Sequence, residues 1–205
     1  MKNKILKDTL ILFLITVIAG GLLGYVYSIT KEPIKAQENK TIQLAYKEVF
    51  KDGKEFKETS SLNKLVKDSS KLIKKSKKDF GKKGIEINKA LQAYDNKNKL
   101  LGYVITVTSK NGYGGDIKIT CGINTKGKVT GVEILTINET AGLGMNTKNE
   151  TFRKQYYNKN VDRFEVNDQN SDNSIDALSG ATITSKAFTN GVNGALYFYS
   201  LIGGN

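Results

Sequence analysis

Between Thr9 and Thr30 the chain carries no charged residue, and the 20 residues from Leu10 to Ile29 are almost wholly apolar. As a helix such a run is about 30 Å long, matching the hydrocarbon core of a bilayer. A cleaved signal peptide would have an apolar stretch of only ~7–15 residues ending at a small-x-small site. Here the run is longer, and Tyr25 and Tyr27 stand where an interfacial aromatic belt belongs. No cysteine lies near it, which excludes a lipoprotein anchor. The expectation is a retained single-span anchor over residues 9–30, with residues 1–8 as a short tail. Lys2, Lys4 and Lys7, opposed only by Asp8, put that tail on the cytoplasmic side. Beyond the span, Lys31 and Lys35 are diluted by Glu32 and Glu38. The mass of the protein is then expected on the extracytoplasmic face of the cell membrane.

That mass is basic, with 32 Lys+Arg against 20 Asp+Glu and a formal charge of +12. The excess suits an anionic surface or solubility better than nucleic acid. Only Arg153 and Arg163 could make the bidentate contacts of base readout, so no nucleic-acid partner is expected. The single cysteine, Cys121, rules out an internal disulfide and falls in an alternating run that makes it a buried strand residue. Histidine is absent, which removes the commonest general base and the commonest zinc ligand. No catalytic residue and no metal ligand is assigned. Demanding chemistry would have to be delegated to a cofactor.

Pro33, the only proline, is expected to break the chain after the span. In ENKTIQLAYKEVF, the residues Ile42, Ala45, Tyr46, Val49 and Phe50 repeat at helical spacing. Residues 31–84 read as a helical, lysine-rich connecting region. Within it SLNKLVKDSSKLIKK has a weak apolar face and reads as a solvated helix or loop. From Ile85 the period changes to two, and KALQAYD, LLGYVITVTSK, DIKITCGI and VTGVEILTI form an antiparallel meander. Ile117, Ile119, Cys121 and Ile123 share one face of it. The loop NGYGGD surrounds Tyr113 with glycines, which fits either a mobile loop or the close approach of a flat ligand. TKNETFRKQY reads as a helix capped by Thr147, with Glu150 completing a capping box. The polar loop VNDQNSDNS follows. The fold class is α+β, with one transmembrane helix ahead of a single domain, residues 85–205, of a small antiparallel sheet and packed helices.

The chemistry concentrates in DALSGATITS, Asp176 to Ser185. Thr184, Phe188, Val192, Ala195, Leu196 and Tyr199 form a stripe at helical spacing, so a helix begins at or just after Thr182. Its Gly191 and Gly194 imply close packing. A helix N-terminus offers unpaired N–H groups and a dipole that favour an anion, above all a phosphate. Ser179 or Thr182 could cap it, which accounts for one hydroxyl and not three. Gly180 permits a positive φ and Ala181 keeps the approach clear, while Asp176 could orient a nucleophilic hydroxyl or a metal.

DALSGAT resembles the Asp-x-x-(Ser/Thr)-Gly-Ala-(Thr/Ser) sequence recognised by flavin transferases, which move FMN from FAD onto a hydroxyl as a phosphoester. The N-terminal span, the small sheet, the GYGG loop, the Glu139-Thr140-x-Gly142-Leu143-Gly144 segment and the late SGAT helix together resemble the G subunits of the Rnf electron-transport complex. The C subunit of the sodium-pumping quinone reductase is a close relative of that family. The resemblance implies an FMN-binding domain whose FMN is covalently attached to Thr182. Asp176, Ser179, Gly180 and Ala181 are then recognition positions, and Thr184 and Ser185 could contact the phosphate or ribityl chain. Glu139, Thr140, Gly142, Leu143 and Gly144 lie in the loop expected near the isoalloxazine. Ala141 departs from the proline usual there, and Asp116 departs from the residue usual after GYGG. The implied role is electron carriage within ferredoxin:NAD⁺ oxidoreduction coupled to Na⁺ or H⁺ movement. The implied partners are integral-membrane and iron–sulfur or flavin subunits, and a flavin transferase for maturation. A carrier or sensor of another redox system, or a surface binding module without flavin, are the alternatives.

Overall fold

The computed structural model describes residues 2–168, 171 and 173–203. Positions 169, 170 and 172 of the expected polar loop VNDQNSDNS lie outside the described residues. The chain divides into two units, residues 1–42 and 43–205. The first is most of a 48-residue helix, α1 (Lys2–Val49), whose most apolar window reaches a mean hydropathy of 2.3. It is the one helix among the described residues that is long and apolar enough to cross a membrane.

Pro33 lies inside this helix and does not end it. A proline in a helix interior removes one backbone donor and crowds the carbonyl four residues back. The bonded turns on both sides outlast that single defect, and the helix runs on to Val49.

The second unit contains β1 (Glu55–Lys57), α2 (Ser60–Lys75), β2 (Ile85–Tyr94), β3 (Leu100–Ser109), β4 (Ile117–Asn124) and β5 (Val129–Thr136). A 3-10 turn (Gly144–Lys148), α3 (Glu150–Lys154), β6 (Glu165–Val166), β7 (Ser174–Ile175) and α4 (Thr182–Leu201) follow. The first five strands form one antiparallel sheet in sequence order, and β6 and β7 pair in parallel. The architecture is α+β. Residues 43–84 are part of this unit: β1 pairs with β2, and α2 packs on β2. Thr59 caps α2 by accepting the Leu62 N–H at 3.3 Å. Leu62 and Ser69 are buried, with Leu65, Val66 and Ile73 against the core. The lysine-rich segment is therefore a docked amphipathic helix rather than a solvated one; its few apolar side chains share one face and suffice for docking.

α4 lies across β2, β3 and β4. Its Ala187, Phe188, Val192, Ala195 and Phe198 are fully buried against Ile105, Val107, Ile117, Ile119, Cys121 and Ile123. Each large apolar side chain so buried contributes about 1.5–3 kcal/mol. Gly191 and Gly194 let the helix approach: a Cβ on them would come within 3.0 Å and 2.2 Å of Ile119 and Ile85. Phe152, Tyr156 and Phe164 extend this core through edge-on ring contacts, and the Tyr156 hydroxyl pairs with Thr189 at 2.8 Å.

The opposite face of the sheet carries a smooth patch where Gly122 and Gly131 are direct cross-strand partners. The last turn of α1 sits on it. A Cβ on Gly122 would be 2.7 Å from the Val49 carbonyl oxygen, and one on Gly131 would be 2.9 Å from the Val49 Cα. Thr130 fixes the contact by donating to the Val49 carbonyl at 2.5 Å. Ala45, Tyr46, Val49 and Phe50 are buried there, as the helical spacing leads one to expect.

Cys121 is fully buried, and burial alone pushes its thiol pKa far up. It stays protonated and inaccessible at neutral pH, since the thiolate is the reactive species. Iodoacetamide at pH 8 should leave the native protein unmodified and alkylate it fully in denaturant, as read by intact mass. Rapid alkylation of native protein would contradict this burial.

Candidate functional site

The turn before α4 is shaped from within. Ser185 is buried; its hydroxyl accepts the Leu178 N–H and donates to the Ala181 carbonyl, both at 3.0 Å. Its own N–H makes the first intrahelical bond, to the Ala181 carbonyl at 2.9 Å. Ala181 is the N-cap residue and supplies no side-chain cap. Neither Ser179 nor Thr182 caps the helix, so the capping role expected for them falls to the backbone turn that Ser185 braces. Ser185 itself is turned into the protein and cannot face a ligand, contrary to the expected phosphate contact. Gly180 adopts φ +68°, a conformation that favours glycine.

With the cap made this way, Thr182 is exposed and its hydroxyl has no hydrogen bond among the described residues. The N–H groups of Thr182, Ile183 and Thr184 precede the first intrahelical bond, an arrangement suited to an anion. The helix behind them is 20 residues long. The three hydroxyls from Thr182 to Ser185 thus have three fates, one open, one clamped and one internal, while Ser179 is exposed.

The clamp is Glu139. Its Oε2 accepts the Thr184 hydroxyl at 3.0 Å, and its Oε1 accepts the N–H groups of Tyr113 and Gly114 at 2.8 and 3.3 Å. One carboxylate therefore ties the GYGG loop, the segment after β5 and the first turn of α4. The glycines of these loops serve packing inside the protein. A Cβ on Gly114 would fall 2.1 Å from the Asn138 carbonyl oxygen, and one on Gly144 would fall 2.8 Å from both Glu139 and Thr184. The loop is thus a pinned element and not a loose one. Glu139→Ala should speed amide exchange at Tyr113 and Gly114 about tenfold or more, because three donors lose a charged acceptor. Hydrogen–deuterium exchange of residues 112–116 reads this, and unchanged exchange would show that the clamp is dispensable.

These elements enclose a cavity of about 610 Å³, within the roughly 300–1,000 Å³ usual for cofactor sites. It is lined by Tyr113, Glu139, Thr140, Leu143, Gly144 and the five residues Gly180–Thr184. Of the expected site residues, Gly142, Asp176, Ser179 and Ser185 do not line it. Asp176 is exposed and held through its backbone, donating its N–H to the Gln155 side chain at 2.7 Å. Gly142 accepts the Asn146 side-chain amide at 2.8 Å. The segment after it also differs from expectation: Thr147 is buried in the 3-10 turn and bonds the Gly144 carbonyl at 2.7 Å. Asn149 takes the N-cap position of α3 instead. A 3-10 turn closes ahead of α3, and the Thr147 hydroxyl is consumed within it.

The sequence alone did not single out Ile183 as a lining residue. Beyond α1, the exposed large apolar side chains among the described residues are Tyr113, Leu143 and Ile183, at 72%, 42% and 56% exposure. All three rim this one cavity. An apolar rim around an anion-receptive helix start with a free hydroxyl fits a flat ring linked to a phosphate. The isolated apolar residue among hydroxyls, Ile183, was the available signal.

Two family models match the chain: the RnfG N-terminal region over residues 1–49 and the FMN-binding domain over residues 112–197. The chain is 34% identical over 197 residues to the G subunit of the proton-translocating ferredoxin:NAD(+) oxidoreductase complex of Clostridium ljungdahlii. That alignment covers 95% of this chain and 91% of the relative. The chain belongs to the RnfG family. A second relative, the G subunit of the Na(+)-translocating ferredoxin:NAD(+) oxidoreductase complex of Acetobacterium woodii, is 28% identical over 200 residues. Here too 95% of this chain and 91% of the relative are covered. The crystal structure of Shewanella oneidensis NqrC aligns at 16% identity and a TM-score of 0.47, over 57% of this chain and 61% of that one. For this member of the RnfG family, the segment matching the FMN-binding domain contains the GYGG loop, Glu139 and Thr182 together.

Proposed function

We propose that this chain is the membrane-anchored flavin subunit of an Rnf-type ferredoxin:NAD⁺ oxidoreductase, with FMN held covalently on Thr182. The observation that carries the reading is the exposed, unbonded Thr182 at the start of α4, inside the cavity rimmed by Tyr113, Leu143 and Ile183. The family membership supports the assembly, with other Rnf subunits as partners.

Attachment requires a flavin transferase and FAD. The Thr182 oxygen forms the new bond to the FMN phosphorus as the pyrophosphate bond breaks, AMP leaves and the hydroxyl proton is lost. The first-turn N–H groups of α4 receive the phosphate, and Glu139 keeps Thr184 and the Tyr113 loop in register around it. Tyr113, Leu143 and Ile183 shield the ring from water, and Asp176, Ser179, Gly180 and Ala181 present the acceptor to the transferase. Bound FMN supplies the capacity to take up and release electrons. The anchor holds this domain at the cell membrane, on the extracytoplasmic face by the lysine balance of the flanks, where a covalent link prevents cofactor loss.

Full-length protein co-expressed with a flavin transferase should fluoresce under ultraviolet light after denaturing electrophoresis, and its Thr182 peptide should carry the mass of FMN. A colourless, unmodified product would refute the proposal.

A further inference from the structure

Beside the Thr182 cavity lies a second groove of about 720 Å³. The two are separated by a shared wall, because Tyr113 and Ile183 line both. The second groove differs in charge. Lys82, Lys83, Arg163 and Lys186 line it, against only Asp79 and Glu165. Arg163 pairs with Glu165 at 2.6 Å, and the Asp79 carboxylate accepts the Gly81 N–H at 2.7 Å. Lys82, Lys83 and Lys186 are exposed and have no ion pair among the described residues.

The backbone of the turn that carries Lys82 and Lys83 is held in place. Asn111 accepts the Lys83 N–H at 2.8 Å and donates to the Phe80 and Gly84 carbonyls at 2.8 and 2.9 Å, so one amide pins the turn that carries both lysines. Arg163 donates to the Asp79 carbonyl at 2.7 Å and joins the other end of that turn to the β6 side. Lys186 projects from α4, one helical turn beyond Thr182. A fixed backbone lowers the ordering cost of an encounter. Lysine, a strongly hydrated point charge, suits contacts that must form and release quickly.

We propose that this groove is the docking face for an acidic segment of a redox-partner polypeptide, seated on the outer side of the Tyr113–Ile183 wall. The proposal rests on Thr182 as the cofactor attachment site. Three unpaired ammonium groups around a groove also lined by Tyr113, Val166 and Ile183 select carboxylates flanking an apolar residue. Opposite charge steers that encounter and fixes its orientation. An electron carrier needs such a face close to its cofactor, and this is the cationic groove that shares a wall with the Thr182 cavity.

Lysine acetylation of the native complex, compared with the purified full-length flavinylated chain in phosphatidylcholine nanodiscs, tests this. Lys82, Lys83 and Lys186 should be labelled more slowly in the complex, while Lys64, Lys67 and Lys71 on α2 serve as controls. A carbodiimide should join at least one of the three to an Asp or Glu of another subunit. The pair Lys82→Glu and Lys186→Glu should slow association with the complex lacking this chain about tenfold at low salt. That difference should shrink as salt rises. Equal labelling in both states would overturn the proposal. So would protection of the purified chain by phosphatidylglycerol nanodiscs alone, which would assign the groove to lipid. In-gel flavin fluorescence, scored on the same samples, separates the two readings. A fluorescent chain with unprotected lysines defeats docking alone, and a protected chain without flavin defeats the attachment reading alone.

Discussion

Thr182→Ala should yield a folded protein with no covalent flavin, a complete loss of in-gel fluorescence against the wild type. The side chain is exposed and caps nothing, since Ala181 occupies the N-cap position and Ser185 braces the turn. Its removal should therefore change stability by no more than about 0.5 kcal/mol, as for an ordinary surface substitution. Thr182→Ser keeps an oxygen at the same place and should restore attachment. Intact mass and an unfolding curve on the same preparations separate lost chemistry from lost structure. A fluorescent Ala variant would exclude Thr182 as the acceptor.

Gly122→Val should lower the melting temperature by roughly 2–12 °C, without altering Thr182 itself. On β4, a Cβ at position 122 would lie 2.4 Å from the Thr130 hydroxyl and 2.7 Å from the Val49 carbonyl oxygen. One neighbour is backbone, so a rotamer change cannot relieve the overlap; the last turn of α1 must lift off the sheet. Overpacking of this kind costs about 1–3 kcal/mol or more, and each kcal/mol is worth ~2–4 °C in a chain of this size. Thermal unfolding followed by circular dichroism in detergent reads the shift. A melting curve identical to wild type would mean that the Val49 contact contributes little.

The strands were legible because the side-chain period of two is local: Ile117, Ile119, Cys121 and Ile123 share the core face as their alternation implies. The start of α4 was legible for a similar reason, from apolar spacing and a Gly-Ala entry. Two features were not. Pro33 looks like a stop when only its own residue is weighed, whereas the outcome depends on the turns on either side of it. The Glu139 clamp joins residues 45 positions apart, Glu139 and Thr184, and no local pattern encodes that pairing. The hydroxyls of DALSGATITS could be counted from sequence. Their division into two exposed groups (Ser179 and Thr182), one clamped (Thr184) and one internal (Ser185) depends on which way each side chain turns, and only the fold decides that.

On the proposed reading α4 is at once the attachment point and the main wall of the core, with Thr182 at one end and Phe188 and Val192 buried one to three turns on. A threonine side chain is short, and nothing flexible stands between its oxygen and that rigid rod. A group bonded there has no swinging arm of the kind a long lysine tether provides. Its point of attachment goes only where the domain goes. Electron delivery then becomes a matter of positioning a whole body against its neighbours, and the distance to each partner is set by docking rather than by the reach of a mobile cofactor.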